Sequence, residues 1–501
     1  MLQEQGQGDA PISLSTAPVA GAGATAGTEP RLALGGLRRP RWTTSLPWPR
    51  WRFGALAGRA AIAALILSTS MVVLVAASGP SVLVPRSTMV YPGWQAGPLH
   101  TLIPLITHNP KAMGIGYSVV LILMFGAYAI ALASVRTLSL RLIVAAVIAL
   151  ELILLLGPPL QLNDVFNYLG YGRLGGLHHL NPYTHVIQQE FFDPVYRFSS
   201  WHNLRSPYGS LFTAITYPLA LMPLALAYWT LKAITVALSL VFLALVYKCA
   251  CQLGRDPRFA LVFVALNPIY LLYAVGGFHN DFFMLVPSMG AITLLLAGRD
   301  RSAGAAIVIA IAVKFTAVLL LPFLLVAALT RPRCVRILVG AALAAVPMIA
   351  LQLALFGLSI PNLSDQSALL TDFSVPNIVG LVMGIGGGTP GLLRVANVAV
   401  VLVVAFQVYR RRQWLSAAGW STFALIASLA WLVPWYIIWL LPLAALATSV
   451  NLRRVALVMT AYLIFAFMPA TGLYLSAHGI DLLGSSVGQA SKSHQHKLAG
   501  Q

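Results

Sequence analysis

Acidic side chains are scarce in this chain: Asp and Glu together number 13 in 501 residues, and all charged residues make up only 9%. A soluble domain carries roughly 25% charged residues, so an ordinary water-facing surface is excluded. Cysteine is nearly absent too, with only Cys249, Cys251 and Cys334. Three thiols are too few for a disulfide-stapled scaffold, and the loop assignment below puts all of them near the cytoplasmic side. Cys249 and Cys251 flank a single residue beside Lys248, but no His or further Cys stands at ligand spacing to complete a metal site. Two patterns are missing as well: the period-2 alternation of membrane barrel strands and any internal repeat.

What is present is apolar sequence. Hydrophobic residues make up 58% of the chain, and mean hydropathy is +0.82. Apolar runs of about 20 residues recur from Ala55 to Leu473, each long enough to cross a ~30 Å hydrocarbon core as a helix. Lipid offers no partner to a free N–H or C=O, so the composition predicts an all-α polytopic membrane protein. Residues 1–54 read as a disordered, basic cytoplasmic tail, 55–475 as the transmembrane domain, and 484–501 as a flexible tail. The stretch from Arg31 to Arg52 mixes Arg with Trp, which suits a membrane-surface anchor better than nucleic-acid binding. No cleavable signal peptide is visible, so the first span reads as an uncleaved anchor.

The formal net charge of +19 is not spread evenly. Arg and Lys collect at the junctions RTLSLR (136–141), QLGRDPR (252–258), GRDR (298–301), TRPRCVR (330–336), YRRR (409–412) and NLRR (451–454), which the positive-inside rule assigns to the cytoplasm. The segments between them, 159–208, 276–283, 359–377 and 433–436, carry acids, His and aromatics and fall on the opposite face. Two runs break a simple count of crossings. Pro218 and Pro223 interrupt the run at 209–224, which therefore reads as incomplete or re-entrant. Residues 303–329 start and end beside cytoplasmic junctions yet are too short for two crossings of about 20 residues each. A pair of short helices meeting at Val313-Lys314-Phe315-Thr316 resolves this, and it places Lys314 at a buried tip, where a cation marks a pathway or an anionic partner. The alternative is that Lys314 snorkels to the far interface.

Three outer segments gather chemically useful residues. After Gly157-Pro158-Pro159, helical spacing puts Asp164, Tyr168 and Tyr171 on one face, with Arg173 in the next turn. Aromatic rings stack on the apolar face of a sugar, and a carboxylate beside them can accept a hydroxyl proton. The same Asp164 also suits a plain helix N-cap. In GGFHNDFF the consecutive His279, Asn280 and Asp281 cannot share one helix face, so at most two of them reach a common site. Helix capping is the alternative account of that triplet, and a functional role is favoured over it. In VPWYIIWLLPL, Pro434 starts a helix with Trp435 and Tyr436 at the interface, which an aromatic belt also explains. Glu151 is the one acid inside an apolar run, either paired across the bundle or protonated.

The order NDVFNYLGYGRL…LNPY, SPYG, ALNPIYLLYAVGGFHNDFFM, VKFTAVLLLPF and VPWYIIWLLPL resembles the integral-membrane GT-C glycosyltransferases. Within them it is most similar to the actinobacterial polyprenol-phosphomannose-dependent α-1,6-mannosyltransferases of the MptA/MptB type, nearer to MptB, over roughly residues 55–475. The first-loop motif is specific to that group, whereas HND and PWY are shared across GT-C relatives. The resemblance implies a GT-C fold of about 13 transmembrane helices, with re-entrant or interfacial helices on the extracytoplasmic face. It implies a multi-pass plasma-membrane enzyme whose site, built on the large loop 159–208, faces outside. The donor would be β-linked decaprenyl-phosphate mannose, and the acceptor a mannan on a phosphatidylinositol mannoside, in lipomannan and lipoarabinomannan assembly. The family's catalytic acid maps onto Asp164.

A lipid phosphosugar already carries a good leaving group, so the remaining tasks are to orient the acceptor, take its proton and stabilise the departing phosphate. Asp164 is then the expected base, with Lys314 and Arg173, backed by Arg205 and His279, the expected phosphate cations. Tyr168, Tyr171, Asn280, Asp281, Trp435 and Tyr436 are the expected sugar contacts. With no tight acidic cluster in the outer loops, no metal cofactor is expected, and no nucleic-acid partner. The rivals are a transporter or flippase, which also places charges at helix breaks, and a GT-C transferase using another lipid-linked sugar.

Overall fold

The computed structural model describes residues 53–84, 91–100, 102, 109–161, 164–410 and 413–500. The basic N-terminal stretch up to Arg52, and Arg411 and Arg412 of the YRRR junction, lie outside the described residues. All regular structure among the described residues is helical. Among the described residues six helices are long and apolar enough to cross a bilayer, and the other apolar helices are shorter. The chain is an all-α polytopic membrane protein.

Helix α1 (Ala55–Ala77) packs against α2 (Pro110–Ser134) and α3 (Leu140–Leu156). Asn109 caps α2 by accepting from the backbone of Lys111 and Ala112, and Ser139 caps α3 through the Leu142 amide. Gly157-Pro158-Pro159 stops α3, because two prolines supply no N–H to extend it. Glu151 is buried within α3, and its Oε1 accepts from the Ser239 hydroxyl, which also meets the Tyr270 hydroxyl at 2.6 Å. Its buried neighbour is therefore a hydroxyl network.

Beyond the break lies α4 (Asp164–Gly176), then a long loop, then α5 (Ser210–Ala220) and α6 (Leu224–Gln252). With 11 residues, α5 spans about 16 Å, half a bilayer, so the run broken by Pro218 does not cross alone. It lies across α4 at a close approach: a Cβ on Gly172 would stand 2.5 Å from the Thr216 carbonyl oxygen. Only glycine permits that spacing.

Next come α7 (Pro257–Ala265), a π-helical turn over Tyr270–Val275, and α8 (Asp281–Leu296). Wide turns of this kind recur at functional sites because they displace the residues that follow. Helix α9 (Asp300–Val313) ends at Lys314, whose backbone is extended at φ −151° and ψ 117°. A 3-10 turn over Phe315–Leu320 leads to α10 (Leu321–Ala328) and then α11 (Arg331–Phe356). The broken hairpin is the geometry that the length of this run requires. Asp300, at the start of α9, is bound by Arg333 and Arg336 at 2.8 Å each, and Lys314 lies at the other end of that helix. The 14 residues between put about 20 Å between the arginine-rich junction and Lys314.

After two short helices over Ser364–Ser367 and Val375–Val382 come α12 (Pro390–Arg410), α13 (Trp414–Ser428), α14 (Ile437–Leu446), α15 (Val450–Phe467), α16 (Pro469–Ala477) and α17 (Ser486–Ala499). Helix α12 has no buried residue, whereas every residue of α14 is buried. Helix α17 lies within the stretch from residue 484 that reads from sequence as a flexible tail. It is capped by Ser485 and docked through its own backbone: Asn203 donates to the carbonyls of Lys497 and Leu498 at 2.9 Å. The Ser491 hydroxyl accepts from the Leu370 amide at 2.7 Å. Leu498 is buried against Leu204 and Leu369.

Candidate active site

At the end of the bundle where α3, α7 and α9 break, the segments between the arginine-rich junctions enclose a cavity of about 520 Å³. Asp164 and Tyr168 reach it from α4, Asn280 from the start of α8, Lys314 from the α9 break, and Trp435 and Tyr436 from the turn before α14. Six of the residues expected from the sequence thus line one space, contributed by four segments far apart in the chain.

Asp164 begins α4, and its carboxylate has no hydrogen-bond partner among the described residues. Its side chain is 14% exposed, and its nearest cation candidate is His279 Nδ1, 3.5 Å from Oδ2. That separation is too long for a hydrogen bond. Tyr168 follows one turn later, its ring fixed edge-on against Tyr208 and Phe212, both at 5.1 Å. Its hydroxyl oxygen accepts from the Asn280 amide at 3.3 Å, tying α4 to the His-Asn-Asp segment.

That segment divides its three side chains as a non-helical turn must. Phe278 is buried with φ at +52°, in the left-handed region that a bulky residue adopts only where packing forces it. Gly277 makes room beside it, since a Cβ there would lie 2.4 Å from the Tyr273 carbonyl oxygen and 2.6 Å from His279 Nε2. The chain then turns His279 under Asp164, where its ring stacks on Trp435 with centroids 3.8 Å apart and planes 11° apart. The next side chain, Asn280, enters the cavity with a buried Nδ2 that has no partner. An unpaired buried donor costs about 1–3 kcal/mol, so a substrate oxygen that meets it gains correspondingly. Asp281 points the other way: its Oδ1 accepts from Lys314 Nζ at 2.8 Å and from Trp439 Nε1 at 2.6 Å.

Several expected contacts therefore fall elsewhere. Asp281 does not line the cavity but holds Lys314, which also lies over the Tyr436 and Trp439 rings at 5.2 and 5.1 Å. His279 lies behind Asp164, outside the cavity wall, and not where a phosphate would sit. Arg173 is drawn away by Asp193, at 2.8 Å, and donates to the Ala220 carbonyl. His178 joins that pair at 2.7 Å. Burial pushes the Asp193 carboxyl up, but the hydrogen bonds from Arg173 and His178 outweigh it and hold it below the usual carboxylate range. Arg205 is exposed and outside the cavity lining. Tyr171 spends its hydroxyl on the Leu204 carbonyl at 3.0 Å and does not reach the cavity either.

The cavity also has walls that sequence reading did not single out, among them Trp201, Tyr208, Trp431 and Trp439. Trp439 follows Trp435 by one helical turn, a spacing visible in VPWYIIW. The others have no local signal. Among the described residues, no three His, Cys, Asp or Glu side chains converge as a metal site would require.

The family described as "Alpha-(1->6)-mannopyranosyltransferase, N-terminal domain" matches residues 65–330, more than half of the chain. The chain is similar to Alpha-(1->6)-mannopyranosyltransferase A of Mycobacterium tuberculosis, 27% identical over 234 residues, or 41% of this chain and 45% of that protein. The A-type protein of Corynebacterium glutamicum is 29% identical over 182 residues, 34% of this chain and 35% of its own length. The B-type protein of the same organism is 24% identical over 351 residues, 59% of this chain and 57% of its own length. The chain thus spans between about a third and three fifths of these curated relatives. No solved structure matches it. The matched segment holds the breaks that carry Asp164, Asn280 and Lys314, and on that match the chain belongs to the alpha-(1->6)-mannopyranosyltransferase A/B family.

Proposed function

We propose that this protein is an inverting, metal-independent α-1,6-mannosyltransferase working on the extracytoplasmic face of the plasma membrane. It moves mannose from a polyprenyl-phosphate donor to a lipid-anchored mannan of the lipomannan and lipoarabinomannan type. The observation that carries this reading is one cavity joining a carboxylate without a hydrogen-bond partner among the described residues, Asp164, to an orphaned amide donor, Asn280, and an ammonium, Lys314. The first suits an incoming hydroxyl, and the other two suit a departing phosphate.

In the reaction the acceptor oxygen attacks the anomeric carbon from the face opposite the phosphate. The new C–O bond forms as the carbon–phosphate oxygen bond breaks, and the bonding pair leaves with the phosphate. Asp164 takes the hydroxyl proton. Lys314 and Asn280 Nδ2 donate hydrogen bonds to the phosphate oxygens as their charge grows. Attack from the opposite face converts a β-linked donor into an α-linked product. Asp281 enters only through Lys314, whose ammonium it orients.

The test is transfer of radiolabelled mannose from polyprenyl-phosphate mannose to a short α-1,6-mannan, with purified protein and EDTA present. Asp164→Asn removes the base and is expected to lower turnover by about 10²–10⁴. Full activity in that variant refutes the assignment of Asp164. Folded wild-type protein that moves a lipid-linked sugar across the membrane without forming a glycoside is a transporter instead.

A further inference from the structure

We infer that Trp201 and Trp431 form a saccharide subsite on the acceptor side of the cavity, braced from outside by α17. The inference rests on the transferase reading and specifies where that site holds the acceptor.

The two indoles meet edge to face, with centroids 6.1 Å apart and planes at 78°. Both line the cavity and both are only half-buried, so each keeps ring surface open to a ligand. Neither indole N–H has an acceptor among the described residues. A corner of two aromatic faces with free N–H donors matches a pyranose, which offers an apolar C–H face bordered by hydroxyls. A core tryptophan pair would bury both rings and satisfy both donors.

The platform is tied to the reacting end of the cavity. Asn167, on α4 one turn beyond Asp164, accepts from the Ser200 amide at 3.1 Å and donates to the Trp201 carbonyl at 3.4 Å. One side chain thus sets the position of Trp201 relative to Asp164. On the other side Thr371 holds the backbone around Trp431: its amide donates to the Ala430 carbonyl and its hydroxyl accepts from the Leu432 amide. Leu498 of α17 packs with Leu204 and Leu369, and both tryptophans lie against that cluster. Helix α17 therefore joins the 203–204 and 369–370 segments across the tryptophan pair.

The surroundings assign this arm to the acceptor and not to the lipid donor. Around Lys314 the wall continues through Phe315 and Leu393 to α12, a helix with no buried residue that is long and apolar enough to cross a bilayer. A polyprenyl tail leaves the cavity on that side. The tryptophan pair is instead roofed by α17, whose sequence SVGQASKSHQHKLA is polar. A water-borne saccharide chain is what fits there.

The test uses the full-length protein in nanodiscs and a soluble α-1,6-linked mannooligosaccharide as probe. Binding is followed by ligand-detected NMR titration, and acceptor KM and donor KM by transfer assays. Trp201→Ala and Trp431→Ala are each expected to weaken oligosaccharide binding and to raise acceptor KM by about tenfold or more, with donor KM unmoved. If either alanine variant fails to fold, Trp201→Leu and Trp431→Leu keep the bulk and lose the ring face, and the same shift is expected. Equal binding by wild type and variants, or a rise in donor KM in place of acceptor KM, overturns the subsite while transfer by wild type leaves the enzyme reading standing. Binding that depends on the tryptophans without any transfer supports the subsite and overturns the enzyme reading. Folded wild type that neither binds nor transfers overturns both.

Discussion

Lys314 and Asp281 give the sharpest quantitative prediction, because their coupling is a matter of stability before it is one of catalysis. Asp281 is 1% exposed and Lys314 is 17% exposed, with Nζ and Oδ1 at 2.8 Å. Lys314→Met leaves a buried carboxylate whose remaining donor is the Trp439 indole, and whose Oδ2 already has no partner. Breaking one side of a buried pair costs roughly 3–5 kcal/mol. Because Lys314 borders the cavity, where water screens the charge, the lower end, about 3 kcal/mol, is the expected loss. Adding Asp281→Asn then removes the stranded charge while an amide oxygen still accepts from Trp439. The double variant should therefore be more stable than Lys314→Met alone, although it carries one more substitution. Thermal and denaturant unfolding of the four proteins in detergent measures this. If Asp281→Asn destabilises the Lys314→Met protein as much as it does the wild type, the two residues are uncoupled and the reasoning is wrong. In the transfer assay, Lys314→Met should cost about 10- to 100-fold in turnover, the worth of one charge-assisted hydrogen bond.

Two further outcomes follow from the same geometry. Asp193 has its folded-state pKa depressed, so its contribution to stability is complete above the ordinary carboxylate value near pH 4 and disappears as pH falls through the lower folded value. Asp193→Asn should be less stable than wild type at pH 6 and should lose this difference on acidification, as unfolding midpoints between pH 6 and pH 2 will show. Gly277→Ala places a methyl 2.4 Å from the Tyr273 carbonyl oxygen and should disrupt the turn that carries His279 and Asn280, lowering transfer activity sharply. Gly290→Ala, where nothing beyond the local helix backbone lies within 4 Å of the added methyl, should leave activity and folding intact.

What the sequence makes legible here is whatever depends on neighbours along the chain. Asp164 and Tyr168 share a face because a helix repeats every 3.6 residues, and both reach the cavity. Lys314 is found at a break because the run around it is too short for two crossings. Arg173 has the same local spacing argument in its favour, but its direction is settled by Asp193, twenty residues further on. Nothing within a helical turn of Arg173 reveals that competitor. The division of labour in His279-Asn280-Asp281 is legible only as a limit, since adjacent side chains diverge; which of them faces the cavity is decided by the left-handed Phe278 and by Lys314 and Trp439 capturing Asp281. Trp201 and Trp431 come together only through tertiary packing. Helix α17 escapes notice for a related reason: its sequence is mostly polar, and beyond Leu498 it is docked by hydrogen bonds from Asn203 and Leu370, which leave no apolar period to read.

The site lies at breaks in helices, and within a bilayer a broken helix must find other partners for the backbone groups it frees. Here the breaks satisfy one another. The Leu160 amide, just past the end of α3, donates to the Gly276 carbonyl at 2.8 Å in the turn after the π-helical segment. The Gly209 amide, ahead of α5, donates to the Val313 carbonyl at 3.0 Å where α9 ends. The Gly157 carbonyl at the end of α3 accepts from Lys232 Nζ at 2.6 Å, and that buried nitrogen also lies over the Phe278 ring at 4.7 Å. The first bond joins the segment that leads to Asp164 to the turn that leads to Asn280, and the second joins the loop ahead of α5 to the break at Lys314. Were each break capped within its own helix, the three segments could shift independently, and positioning of a hydroxyl against an anomeric carbon tolerates little such movement. The hydrogen bonds that make broken helices tolerable at this depth therefore also set the relative positions of the carboxylate, the amide and the ammonium.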